Sequence, residues 1–209
     1  MRRLCVVLAL ASVLVAVPGA SAATRRCRPP ARDVIARSGA DVLFVRATPG
    51  GEYAGPVTVY GCYSARHSPR RLLDFPEDNS GEFARLGPAG RRARFAGRFV
   101  AFSLTFDDEP CEHYALSSDC TSTLTASYSL RTGRRRALAR EAVAAADLAL
   151  TRAGWFAWTP AGGQPPLLGV DAAGQRTLDA GPVDAGSLGA TAAGVTWTVA
   201  GAPRSAALG

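Results

Sequence analysis

Apolar and polar residues alternate along most of this chain in short runs, cut at close intervals by glycine and proline. The pattern is clearest between Asp147 and Ala180. Asp147-Leu-Ala-Leu-Thr151 alternates, Arg152-Ala-Gly154 breaks the alternation, and Trp155-Phe-Ala-Trp-Thr159 resumes it. A Pro/Gly segment from Pro160 to Pro166 follows. Then come Leu167-Leu-Gly-Val-Asp171, the break Ala172-Ala-Gly174, and Arg176-Thr-Leu178. A period of two bounded by turn residues marks strands, so this stretch predicts a four-stranded meander.

The same order recurs three times. Val34-Ile-Ala36 leads through Arg37-Ser-Gly39 to Asp41–Arg46, with Val57–Tyr63 and Arg71-Leu-Leu73 behind. Phe95-Ala-Gly97 precedes Arg98–Leu104, and Thr123–Leu130 precedes Arg131-Thr-Gly133 and Arg136-Ala-Leu138. Ser187–Thr191 leads through Ala192-Ala-Gly194 to Val195–Val199 and Arg204–Leu208, a unit of three strands. Gly39, Gly97, Gly154 and Gly194 each sit at a unit's first turn, where glycine supplies a positive φ without steric cost. Three units end on Arg-x-Leu, at Leu73, Leu138 and Leu178. Recurrence of several features in one order predicts a repeat. Leu138–Leu150 is the one stretch with helical propensity, yet Asp147–Thr151 alternates better as a strand.

These units resemble the bacterial β-propeller repeats of the TolB and WD-like type. The residues that carry the resemblance are Gly154 with Trp155 and Trp158, then Asp171-Ala-Ala-Gly174 and Leu178. Val199 and its neighbours follow Gly194 in the same way. The resemblance implies an all-β, propeller-like array of about four four-stranded antiparallel blades, the last incomplete, over residues 33–209. Its motifs are structural and imply no activity. A β-sandwich is the alternative that many short strands with regular turns also suit. Closure of a ring needs one more strand, and residues 23–30, with two prolines and three arginines, are a poor donor.

Composition sharpens this picture only in part. With 209 residues and 47% apolar content the chain is long enough for a real core and too apolar for disorder. All 24 basic residues are Arg, giving a net charge of +7. Such an Arg bias arises from GC-rich coding as readily as from a partner, so charge alone names none.

The first residues read as an export signal. Arg2 and Arg3 precede an apolar run from Cys5 to Val17, and Pro18-Gly19-Ala20-Ser21-Ala22 is a small-residue cleavage pattern. The run is short of the roughly 20 residues that a bilayer needs. The expectation is therefore a signal peptide over 1–22, a tail over 23–32, no transmembrane anchor after cleavage, and a secreted or extracytoplasmic location. Cleavage removes Cys5 and leaves Cys27, Cys62, Cys111 and Cys120, which in an exported chain read as two disulfides. Cys111 and Cys120 lie within one loop, so they are expected to pair. Cys27 with Cys62 would then staple the tail to the third strand of the first unit.

Catalytic motifs are sparse: there is no Gly-x-Ser-x-Gly, no phosphate-binding Gly-rich loop ending in Lys-Ser, and no His-Glu-x-x-His. The richest cluster is Asp107, Asp108, Glu109, Glu112 and His113, with Asp119 close behind. Such a set suits a divalent cation, but the spacing is not that of an EF-hand and Pro110 interrupts it. A solvated acidic loop closed by a cysteine bridge is the simpler reading. Arg91–Arg94, Arg134–Arg136 and Arg25–Arg28 suit polyanions electrostatically, although solvated turns and edge charges explain them more simply. Trp155, Trp158, Trp197, Phe99 and Phe102 are expected to pack between blades. The expected function is an exported, non-enzymatic binding or interaction scaffold without a cofactor. Its partner would be a protein or a cell-envelope polymer and not nucleic acid, met on the loops Ala47–Pro56 and Asp107–Ser122. The alternative is a secreted hydrolase or lyase using the acidic loop Asp107–Asp119.

Overall fold

The computed structural model describes residues 27–47, 57–64, 67–75, 92–107, 121–141, 145–162 and 166–209. Within them the only helix is a single 3-10 turn, Ala31–Asp33. The rest of the regular structure is antiparallel sheet. Sheet one contains β1 (Val34–Ser38), β2 (Asp41–Ala47), β3 (Val57–Cys62) and β4 (Arg70–Phe75). Sheet two contains β5 (Arg92–Ala96), β6 (Phe99–Asp107), β7 (Thr121–Ser129) and β8 (Arg135–Glu141). Sheet three contains β9 (Ala145–Leu150), β10 (Phe156–Pro160), β11 (Leu167–Asp171) and β12 (Gly174–Asp179). Sheet four contains β13 (Gly189–Ala190), β14 (Gly194–Val199) and β15 (Ala202–Ala207).

In every sheet the strands lie in chain order, so each unit of the sequence pattern is one meander. Strands divided among four sheets are not a two-sheet sandwich. The turn glycines behave as expected at three positions, with φ of 57° at Gly39, 56° at Gly97 and 87° at Gly154. Gly194 is different: it opens β14 outside the positive-φ region, and a Cβ there would run into the backbone carbonyl of Ala206 on β15. Close approach of two backbones, not φ, demands glycine at that position.

Three clusters account for the core among the described residues. Leu43, Val57, Val59 and Leu72 of sheet one pack against Val100, Phe102, Leu104 and Leu124 of sheet two. A second cluster runs from Phe99 and Ala101 of sheet two through Leu148, Phe156 and Trp158 of sheet three to Val195 and Trp197 of sheet four. The five aromatics expected to pack between blades are all buried, each in a cluster that spans two or more sheets. The third cluster covers the outer face of sheet one, where Val42, Phe44 and Cys62 meet Cys27 of the tail. Leu73, Leu138 and Leu178, the Arg-x-Leu leucines, are partly buried against these clusters from the fourth strands of three sheets.

β7 shows how a strand is buried on both faces without being apolar on both. Leu124, Ala126 and Tyr128 belong to the cluster shared with sheet one. Thr123, Thr125 and Ser127 alternate with them and are equally buried. Thr125 Oγ1 donates to Ser103 Oγ at 3.0 Å, Ala145 N donates to that same oxygen at 3.4 Å, and Ser127 Oγ donates to Gly154 O at 2.6 Å. Hydroxyls on sheet two thus hydrogen-bond the backbone of sheet three. Their small size lets the two sheets approach closely while the buried polar atoms keep partners.

β15 pairs with β14 from Gly194↔Ala207 to Val199↔Ala202, and its other edge is not paired with any described strand. Buried Leu208 follows it. Deleting residues 203–209 should lower the unfolding free energy by about 2 kcal/mol or more, the value of one buried leucine plus part of a strand. Unchanged melting after the deletion would show that this strand contributes nothing to the sheet.

Candidate binding cleft at the long-connection end

In an antiparallel meander the first and third turns fall at one end. The second turn and the link to the next sheet fall at the other. Here the first end carries short turns such as 39–40, 97–98 and 172–173, while β2, β4 and β6 finish at the second, where the chain leaves the described residues. At this second end a cleft of about 340 Å³ opens between sheets two and three and the link 180–188. β5 contributes Arg94, β9 contributes Asp147, β10 contributes Thr159, and the link contributes Val183, Asp184 and Leu188.

The polar groups of the cleft are held by their neighbours. Arg94 Nη2 donates to Asp147 Oδ1 at 3.2 Å, and Leu148 N donates to the same oxygen at 2.8 Å. Arg94 remains half exposed, with its side chain 49% accessible. Asp184 is tied down more fully. Its carboxylate accepts Thr198 Oγ1 at 2.5 Å, Gly201 N at 2.8 Å and Ala200 N at 3.0 Å. These bonds hold the β14–β15 turn, in which Ala200 sits at φ 49°, a conformation that L side chains disfavour. The hydrogen bond from Thr198, followed by those from Gly201 and Ala200, holds the Asp184 carboxyl below the usual carboxylate range.

Asp179, where the link begins, joins sheet three to sheet four. Gly181 N donates to Oδ1 at 2.9 Å, while Trp197 Nε1 and Arg204 Nη1 both donate to Oδ2 at 2.8 Å. Those bonds, the Gly181 amide foremost, also depress the Asp179 carboxyl. A depressed carboxyl contributes stability that is fully present above its unfolded value near 3.9 and is lost as pH falls through the folded value. The melting temperature of the wild type should therefore fall more steeply below about pH 4 than that of Asp179→Asn. Parallel curves for the two proteins between pH 5 and pH 2 would show that this carboxylate is not coupled to folding.

Of the cation candidates, Asp108, Glu109, Glu112, His113 and Asp119 lie outside the described residues, as do Cys111 and Cys120. Asp107 closes β6 and only its backbone is described. Among the described residues no group of three or more His, Cys, Asp or Glu comes together. Cys27 and Cys62 are bonded as expected, with Cα atoms 6.2 Å apart. No helix among the described residues is long and apolar enough to cross a membrane. The cleft itself has no local signature, because Arg94, Asp147 and Asp184 come from three separate elements. Only the Gly/Pro character of Gly181-Pro-Val-Asp-Ala-Gly186 marks that segment in the sequence as a loop.

Comparison with protein-family models, curated proteins and solved structures finds no match for this chain.

Proposed function

We propose that this chain is an exported binding scaffold, a propeller-like array of four blades that receives its ligand in the cleft at the long-connection end. The observation that carries the reading is the placement of Arg94. It is a half-exposed guanidinium fixed by Asp147 in a cleft between successive sheets, at the end where the longest connections emerge. Binding sites gather where a rigid sheet scaffold presents variable connections.

Support for the radial arrangement comes from the first strands. β1 neighbours β5, β5 neighbours β9, and β9 neighbours β13, so one edge of each sheet follows the next as inner strands do around a propeller axis. Binding fits the cleft better than acid–base chemistry does. The Asp184 carboxylate spends its acceptor capacity on three structural hydrogen bonds and is held ionised, which makes it a poor proton acceptor. The Cys27–Cys62 bridge and the signal-like segment 1–22 fit an extracytoplasmic chain.

Thermal-shift screening of the purified protein against small ligands and cell-envelope polymers tests the proposal, with each hit repeated on Arg94→Ala. Arg94 is half exposed, so its pair with Asp147 contributes at most about 1 kcal/mol to stability and the variant remains folded. The shift should disappear in the variant. Hits that stabilise Arg94→Ala as much as the wild type would place the site elsewhere.

A further inference from the structure

The opposite, short-turn end carries arginines across three sheets. Arg131 and Arg134 lie in the β7–β8 turn, Arg135 and Arg136 open β8, and all four are exposed. On one side this turn packs against sheet one. A Cβ at Gly133 would stand 3.0 Å from the backbone oxygen of Arg71 and 3.5 Å from Cβ of Arg70. Beside it, Leu130 N donates to Arg98 O at 2.8 Å, which sets the β5–β6 turn and exposed Arg98 alongside. On the other side, a Cβ at Gly154 would stand 2.9 Å from Cγ of Arg136, so the β9–β10 turn with exposed Arg152 adjoins. The basic residues form one continuous band.

Little opposes their charge. The described carboxylates at this end are Asp41, which accepts Ser64 N at 2.7 Å, and Asp171, which pairs with Arg176 at 2.7 Å. Arg70, Arg98, Arg131, Arg134, Arg135 and Arg152 take part in no ion pair among the described residues. A band of one sign raises the local concentration of counter-ions and favours an extended anion over isolated ones. Two rings beneath it are covered: Arg98 lies 5.1 Å from the Phe99 centroid and Arg136 lies 3.7 Å from that of Trp155, both rings being buried. These rings offer no open face on which nucleic-acid bases would stack.

We propose that this band binds a flexible, unbranched polyanion without bases, one that carries repeated oxyanions along its own backbone as cell-envelope polymers do. Guanidinium groups suit such oxyanions because each can donate two parallel hydrogen bonds. This surface is distinct from the Arg94 cleft, and its failure would leave the reading of that cleft intact.

The test titrates the protein with labelled inorganic polyphosphate and, separately, with alginate, between 50 and 200 mM salt. With about six contacts, affinity should fall about 10²–10³-fold across that range. Arg134→Ala combined with Arg135→Ala should reduce the slope of log K against log salt by about 1.4, since each lost contact removes about 0.7. Arg32→Ala, at the other end and 87% exposed, should leave the slope unchanged. Melting curves confirm that each variant is folded. Binding of both polymers identifies repeated backbone charge as the determinant, and binding of polyphosphate alone narrows it to phosphate. The proposal is overturned by no binding of either polymer at 50 mM salt, or by a wild-type slope in the double variant. Tighter binding of single-stranded DNA than of polyphosphate with equal charge would also overturn it.

Discussion

Trp158→Ala should lower the unfolding free energy by about 3–5 kcal/mol, the range for truncating a large aromatic in a packed core. Trp158 is wholly buried, lies opposite Leu148 and Leu168 on the neighbouring strands, and has its ring centroid 5.4 Å from that of Phe156. It belongs to the cluster that joins sheets two, three and four, so the cavity would weaken the central packing of the array. For a chain of this size the melting temperature should drop by roughly 10 °C.

Two milder substitutions separate volume from hydrogen bonding. The Trp158 indole N–H is buried without a partner among the described residues. Trp158→Phe loses volume but also removes an unsatisfied donor, and should come within about 1.5 kcal/mol of the wild type. Trp197 is also buried, but its N–H donates to Asp179. Trp197→Phe takes a partner from a buried carboxylate and should cost more than Trp158→Phe. Urea unfolding of the three variants decides the order. Equal costs for the two phenylalanine variants would show that the bond to Asp179 has no net value.

The strands were legible because each unit combines period-two alternation with a small residue and Gly at the turn. Both signals act within a few residues. Pairing followed within each short-turn hairpin, since a short turn leaves consecutive strands little choice but to pair, whereas β2 with β3 and β6 with β7 pair across far longer separations. What faced what was not legible. The alternation in Thr123-Leu-Thr-Ala-Ser-Tyr128 reads locally as one buried and one solvated face, yet a further sheet covers the hydroxyl side. The arginine band was equally hidden, and so was the cleft, although Arg94 itself ends the basic run Arg91–Arg94. Arg134–Arg136 is a run in the sequence, but Arg98 and Arg152 are isolated positions and Arg70 has only Arg71 beside it. They join it only because a meander returns alternate turns to the same end.

Replacing Cys27 and Cys62 together by alanine should cost about 4 kcal/mol, the chain-entropy value for a loop of this length. The bridge spans 35 residues and anchors a tail that has little else to hold it. Residues 27–30 form no strand, and the proline at position 29 is buried beside the bridge. Beneath lie Val42 and Phe44, 2% and 1% exposed, on the outer face of sheet one. Tyr60 stacks on Phe44 at 5.4 Å, and the Arg46 guanidinium lies 5.4 Å from the Phe44 ring and 5.6 Å from that of Tyr60. Without the bridge the tail has no apolar side chain large enough to stay docked, so Val42 and Phe44 should become exposed. Aggregation should then accompany the lower stability, because an uncovered apolar sheet face is a surface for association. Melting the wild type with and without reductant should show a fall of roughly 10 °C on reduction. The double alanine variant should melt near the reduced wild type even without reductant. Any further shift when reductant is added to the variant isolates the contribution of Cys111 and Cys120. Should the oxidised wild type and the variant melt together, the tail is held by contacts other than the bridge, and the outer face of sheet one is covered without it.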